Sequence, residues 1–307
     1  MAGGVALNCV ANSKIFETGL FDQIWIQPAA GDAGGSVGAA YAAFHIWKAQ
    51  PRIISSPDAM KAAFLGPEYS DKDIMNTVRQ HDAIYDYYPD FEELCATISL
   101  KLAEGKIVGW FQGRMEFGPR ALGHRSILAD PRNPEMQKIL NLKIKFREGF
   151  RPFAPAVLTE DIPEYFESVI ASPYMLFVST LRQKWRLPAV ANEFEMRMAD
   201  RLHQARSVFP AVTHLDYSSR IQAVDERSNP RFWKLIAEFK KITGCGMIVN
   251  TSFNVRGEPI VCSPKDAWRG FLRTEMDFLV MGHYVFDKKR QKEPVFAVEE
   301  KKLFEPD

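Results

Sequence analysis

Residues Gly109 to Ser126 set four glycines, three arginines, a proline and a histidine directly behind a short apolar run, and no other stretch gathers those residue types so closely. A chain built this way has to turn sharply there. Lys106-Ile107-Val108-Gly109-Trp110-Phe111 has the length and composition of a buried strand, and the glycines that follow let the backbone turn and approach a ligand closely. Arg114, Arg120 and Arg125 are then expected to fan around one concavity, where the N–H fork of a guanidinium suits the oxygens of a carboxylate or phosphate. A glycine-rich turn carrying solvated arginines satisfies the same composition.

The 307 residues, 46% of them hydrophobic, can bury a substantial core and predict two units, one large and one small. The net charge of +1 argues against a general nucleic-acid or membrane-surface role. Charge is nonetheless local: Lys101 to Arg151 holds eleven Lys or Arg against five Asp or Glu, which points to a small anion. Cys9, Cys95, Cys245 and Cys262 show neither metal-ligand spacing nor a disulfide framework, as in a reducing compartment. With no run of about eighteen apolar residues and no signal peptide, a soluble cytoplasmic protein is expected, with no membrane partner.

Along the chain, Gly3-Gly4-Val5-Ala6-Leu7-Asn8 is an unusual opening, since a glycine pair of this kind normally follows a strand. Leu20 to Gln27 reads as a strand, followed by Gly31-Asp32-Ala33-Gly34-Gly35 and a small-residue helix reaching to about Lys48. The helix start could hold a phosphate or metal at Asp32, or Asp32 could simply cap the helix. Residues 67–90 lack a sustained apolar period and read as a linker. Phe91 to Ala103 has helical spacing, ended by Gly105.

Lys143 to Pro155 alternates charged and apolar residues at period two, so a strand would place Lys143, Lys145 and Arg147 on one face, either around an anion or as a solvated edge. Tyr174 to Leu181 reads as a strand, Asn192 to Ala205 as a charged helix, and Thr213 to Val224 as a hairpin with Arg220 at its turn. Phe232 to Ile242 is a helix stopped by Gly244. Gly246 to Val249 is a strand delivering Asn250, Ser252 and Asn254 to its end. A helix over Pro264 to Arg273, strands within Asp277 to Phe286 and a charged tail after Lys288 complete the expected elements. His124 and His214 are the histidines worth following, although a structural role is common for such residues. No Ser-His-Asp set can be assembled from spacing alone.

The run Phe111 to Gly123, together with Arg151-Pro152-Phe153-Ala154-Pro155, Asn250-Thr251-Ser252-Phe253-Asn254, Gly3 to Asn8 and Gly31 to Gly35, resembles the O-carbamoyltransferases that decorate antibiotics and nodulation factors. The resemblance covers nearly the whole chain. It implies a mixed α/β protein in which residues 91–307 form a threonylcarbamoyl-adenylate-synthase-like domain. Residues 1–66 would be the C-terminal fragment of an actin/sugar-kinase-like carbamoyl-transfer domain, with 67–90 as linker.

It further implies that the large domain makes carbamoyl adenylate from carbamoyl phosphate and ATP with Mg²⁺, for transfer to a small-molecule acceptor hydroxyl or amine. Arg120, Lys145, Arg151 and Arg220 would be catalytic. Arg114, Arg147, Asn250, Ser252, Asn254, Gly3 and Gly4 would bind carbamoyl phosphate and nucleotide.

The family's transfer domain holds a metal, Fe²⁺, through two histidines on an N-terminal segment and the aspartate matching Asp32. That segment is not in this sequence, so an incomplete metal site is expected, and a truncated or split polypeptide. A second departure is Asp216-Tyr217-Ser218-Ser219-Arg220, which lacks the family's glycine and alanine around the serine and loosens the Arg220 assignment. The competing expectation is a non-catalytic nucleotide or anion binder that works with a partner chain, whether the missing N-terminal lobe or a second copy.

Overall fold

The computed structural model describes residues 1–54, 59–167, 172–188, 197, 201 and 204–292. Eight strands form its central mixed sheet: β1 (Asp86–Tyr87), β2 (Val108–Phe111), β3 (Arg125–Ala129), β4 (Ala154–Leu158), β7 (Gln222–Val224), β8 (Met247–Ser252), β9 (Phe278–Met281) and β10 (Tyr284–Asp287). Their spatial order is β1-β10-β9-β2-β3-β8-β4-β7. β2 runs parallel to β9 and β4 parallel to β7, and the other neighbours are antiparallel. A small second sheet pairs β5 (Ser179–Thr180) with β6 (Ser218–Ser219).

The expected helices at the centre form where their sequences direct. Helix α4 (Phe91–Ala103) starts at Asp90, whose carboxylate accepts the Glu92 amide at 2.8 Å. It packs on α7 (Pro230–Thr243), which begins with proline at N1 and stops at Gly244, φ +72°. Leu94, Ile98 and Leu102 face Phe232, Leu235 and Phe239 in one core, and each such side chain contributes about 1.5–3 kcal/mol on burial. Helix α8 (Pro264–Arg273) carries a capping box between Ser263 and Asp266 and covers β2 and β9.

Several expectations are corrected. Residues 67–90 are not a bare linker: α3 (Asp71–Gln80), capped by a Ser70–Asp73 box, buries Ile74 and Val78 in the main core, and β1 joins the large sheet. Leu20 to Gln27 forms no strand; instead the Met1 amine donates to Trp25 O at 2.5 Å and Gln27 N to Met1 O at 3.1 Å. Of Tyr174 to Leu181 only Ser179–Thr180 is a strand, because Met175 sits at φ +55° and turns the chain. Thr213 to Val224 is not a hairpin, since β6 and β7 belong to different sheets.

Lys143 to Arg147 is not a strand either: Leu140–Ile144 is a π-helical turn that buries Ile144, and Phe146 at φ +50° turns outward. The charged helix expected at Asn192 to Ala205 and the tail beyond Lys292 lie largely or wholly outside the described residues.

The N-terminal segment contributes α1 (Cys9–Glu17) and α2 (Asp32–Tyr41), the latter continuing as a π-helical turn through Trp47. Its small core of Ala6, Ile26, Ala30, Met60 and Ala63 is shared with Leu122, Ala154 and Tyr174–Phe177 of the larger body. Asn12 pins the join, its amide donating to Ala6 O at 2.8 Å and Leu176 O at 3.0 Å. Helix α2 buries no residue, and Tyr41, Phe44, Ile46 and Trp47 stand exposed beside it. Among the described residues no helix is long and apolar enough to cross a membrane.

Candidate active site

The loop between β2 and β3 is organised by Glu116. Its Oε1 accepts the amides of Leu122 at 2.6 Å, His124 at 2.9 Å and Arg125 at 3.3 Å, so one buried carboxylate folds the chain back on itself. Gly123 at φ +107° is required there, because a Cβ would sit 2.3 Å from the Phe232 ring. The loop separates the three arginines instead of converging them. Arg114 points outward to Gly66 O at 3.0 Å and Glu68 at 3.6 Å.

Arg125 is fully buried over the Phe111 ring, 3.6 Å from its centroid, and donates to the carbonyls of Gln112, Gly113, His124, Pro67 and Cys262. Only Arg120 reaches a cavity, with one nitrogen on Leu7 O at 3.2 Å and its Nε buried and unpartnered.

That cavity has a volume of about 290 Å³ and is lined by Arg120, Arg147, Arg151 and Arg220, by Asn250 and Ser252 at the end of β8, and by Cys9, Phe153, Met175 and His214. Among the described residues no carboxylate lines it. Arg147 is anchored by Nε on Asn141 Oδ1 at 2.8 Å and lies over the Phe153 ring. Arg151 pairs with Glu148 at 3.0 Å. Among the described residues Arg120, Arg147 and Arg220 make no ion pair, and Arg220 Nε is buried without a partner.

Burial pushes Arg220 down to about 10, reinforced by Arg120. Burial also lowers Arg120, and it lowers Arg147 together with the nearby Arg151. All three stay charged at neutral pH and repel one another. Asn250 adds an orphaned buried Oδ1 while its amide is spent on Ala121 O and Gln222 Oε1.

An adjoining cavity of about 490 Å³ shares Arg147, Arg151 and Ser252 and adds Lys145, Asn254 and Glu258. Lys145 is buried, and its ammonium meets Ser252 O at 2.5 Å, Ser252 Oγ at 3.2 Å, and Asn254 O and Oδ1 at 2.9 Å. Burial holds it well below the ordinary lysine range, with Arg147 adding to the effect. Lys145 thus braces the Ser252–Asn254 turn, while its expected neighbour Lys143 turns away to Glu275 at 2.7 Å.

Gly3, Gly4 and Asp32 are exposed and line neither cavity. Gly3 and Gly4 act indirectly, by starting the turn whose Leu7 carbonyl receives Arg120. Asp32 sits in the first turn of α2, and among the described residues no three His, Cys, Asp or Glu side chains cluster to hold a metal. Of the ligands that the resemblance implies for iron, this sequence supplies Asp32 alone. Cys9, Met175 and Glu116 are site elements the sequence reading missed. The first two come from distant segments with no local signal, whereas Glu116 stood visible inside the arginine stretch.

Residues 99–288 match the profile of the carbamoyltransferase C-terminus, and residues 1–41 match that of the carbamoyltransferase N-terminus. The chain belongs to the carbamoyltransferase family. It is 52% identical over 293 residues to an uncharacterized protein of Synechocystis sp., covering 95% of this chain and 48% of that one. Nodulation protein NolO of Bradyrhizobium diazoefficiens is 40% identical, covering 94% and 49%. The 3'-hydroxymethylcephem-O-carbamoyltransferase of Streptomyces clavuligerus is 30% identical, covering 92% and 47%. The chain thus spans about half the length of these relatives.

A solved structure of full-length HypF in its phosphate- and nucleotide-bound form aligns at TM-score 0.40 and 15% identity, over 76% of this chain and 28% of that one, too distant to carry an argument. In this carbamoyltransferase chain the arginine cavity lies where the two matched segments meet, with Cys9 from the first and Arg120 to Ser252 from the second.

Proposed function

We propose that this chain is the carbamoyl-activating portion of a carbamoyltransferase, binding carbamoyl phosphate and ATP and forming carbamoyl adenylate. The observation that supports it is a cavity lined, among the described residues, by four guanidiniums and no carboxylate, which favours a multiply charged phosphate over any neutral ligand. Carbamoyl phosphate and water give carbamate and phosphate. A carbamate oxygen then attacks the α-phosphorus of ATP, the α–β bridging bond breaks, and pyrophosphate leaves. Negative charge grows on phosphoryl oxygens in both steps, and cations fixed before the reaction stabilise that charge without reorganising.

Arg120, Arg147, Arg151 and Arg220 would hold the phosphate oxygens, Asn250 would meet the carbamoyl amine through its orphaned Oδ1, and Lys145 would keep the Ser252–Asn254 turn in place. Mg²⁺ would arrive on the ATP phosphates, since among the described residues the arginine cavity offers no carboxylate to hold it. The carbamoyl group then passes to a small-molecule hydroxyl or amine, releasing AMP. The apolar surface at Tyr41, Phe44, Ile46 and Trp47 supports work alongside a second polypeptide, whether another copy or an N-terminal lobe.

The test is carbamoyl-phosphate-dependent release of pyrophosphate from MgATP by the purified chain. Arg220→Ala should cut it about a hundredfold, as expected for losing one or two charge-assisted contacts of roughly 1.5–3 kcal/mol each. Nucleotide binding without turnover, in wild type and variant alike, would instead favour a non-catalytic binding subunit.

A further inference from the structure

The arginine cavity borders a more apolar one of about 430 Å³, and His214 lines both. His214 Nδ1 lies 3.1 Å from Ser218 Oγ. Ser218 Oγ in turn lies 2.7 Å from Asp216 Oδ1, which also accepts the Ser218 amide at 3.0 Å. The loop is braced by His214 N donating to Ser218 O at 2.8 Å and Tyr217 N to His214 O at 3.1 Å. Burial works against the Asp216 charge, yet the Ser218 bonds and the nearby His214 outweigh it and hold the carboxyl below its ordinary value, so at neutral pH it only accepts.

A serine hydroxyl has a single hydrogen, and Ser218 gives it to Asp216. Its oxygen must therefore accept from His214, which fixes the ring proton on Nδ1. Nε2 keeps the lone pair and has no hydrogen-bond partner among the described residues.

We propose that His214 is the general base of the arginine cavity, its Nε2 taking a proton from the water that cleaves carbamoyl phosphate. This rests on the carbamoyl-phosphate reading. The water oxygen bonds to the carbonyl carbon as its proton passes to Nε2. The carbon–oxygen bond to phosphate then breaks, the electron pair leaves with phosphate, and the imidazolium returns the proton to it. Carbamic acid remains and ionises to the carbamate used next.

Carbamate attack on ATP needs no base, so this hydrolytic half is where one belongs. The charged groups around His214 are Asp216 on its own loop, Arg220 beyond β6, Arg120, Arg147 and Arg151 across the arginine cavity, and Arg206 on the apolar side. Burial and Arg220 lower His214 against the pull of Asp216, so the ring is neutral and able to accept at neutral pH.

The experiment follows phosphate release from carbamoyl phosphate across pH for wild type, His214→Gln and Asp216→Asn. His214→Gln should lose about a hundredfold in kcat with KM little changed, and should lose the fall in rate on the acid side. Asp216→Asn removes a negative charge beside the ring, so its acid limb should move to lower pH. An intact acid limb in His214→Gln, or a loss carried wholly by KM, would overturn the proposal. ¹⁵N spectra of the wild-type chain should show the Nδ1–H tautomer, and an Nε2–H tautomer would overturn it whatever the activity. Wild type that releases no phosphate would sink the carbamoyl-phosphate reading first, and this role with it.

Discussion

Arg125 at the start of β3 and Arg220 between β6 and β7 both carry a guanidinium into the interior, and burial pushes both down to about 10. Around Arg125 the space is filled by backbone carbonyls and an aromatic face, so the charge stitches the Gln112–Cys262 neighbourhood together. Around Arg220 there is an orphaned Nε, a second guanidinium and open volume. The first serves the fold, and the second is the one that the proposed function pairs with an anion. A buried cation is diagnostic of a ligand only after its donors have been counted.

The sharpest way to break that contrast is Arg125→Met, which takes the guanidinium from the Gln112, Gly113 and Cys262 carbonyls, while His124 O and Pro67 O keep the amides of Gln112 and Met115. Urea denaturation should show a loss of at least about 3 kcal/mol, and a smaller loss would mean the carbonyls find other partners.

Next comes Lys288, whose ammonium caps α8 through Phe271 O and Thr274 O and which burial lowers to about 8. The unfolded chain binds this proton more tightly, so stability should rise with pH from about 8 to about 10.5, at no more than about 1.4 kcal/mol per pH unit. Lys288→Met should remove that slope in denaturation curves measured across the window.

Inorganic phosphate should then stabilise the wild type by about 1.4 kcal/mol at ten times its dissociation constant. Arg220→Met should unfold at nearly the wild-type midpoint without phosphate and gain nothing from it. A strongly destabilised Arg220→Met would place Arg220 with Arg125 instead. Last, Arg114→Ala should change stability by less than about 0.5 kcal/mol and leave phosphate binding intact, because its partners are solvent-exposed.

How much was legible in the sequence follows the same physics. Helices α4 and α8 were readable to the residue because amphipathic spacing, caps and stop signals are local. The alternation at Lys143 to Arg147 misled because a period of two counts only where both faces are real. Ile144 is buried in a π-helical turn, Phe146 is solvent-exposed, and the charges scatter to Glu275, the Ser252–Asn254 turn and Asn141.

Arg120, Arg147, Arg151, Arg220, Asn250 and Ser252 were named from sequence and do line one cavity. Cys9 and the Asp216–Ser218–His214 chain were not, since hydroxyl donor bookkeeping needs coordinates.

Arg220 and Ile221 alone carry the chain from the small sheet into the large one. At about 3.3 Å per strand residue, there is no slack in that span, so the Arg220 backbone cannot move without dragging a strand on one side or the other. The cavity is therefore geared to how the two sheets are seated. A bound anion would act as a keystone in that joint, and any force that pries the small sheet loose would spill the ligand before it unfolded the core.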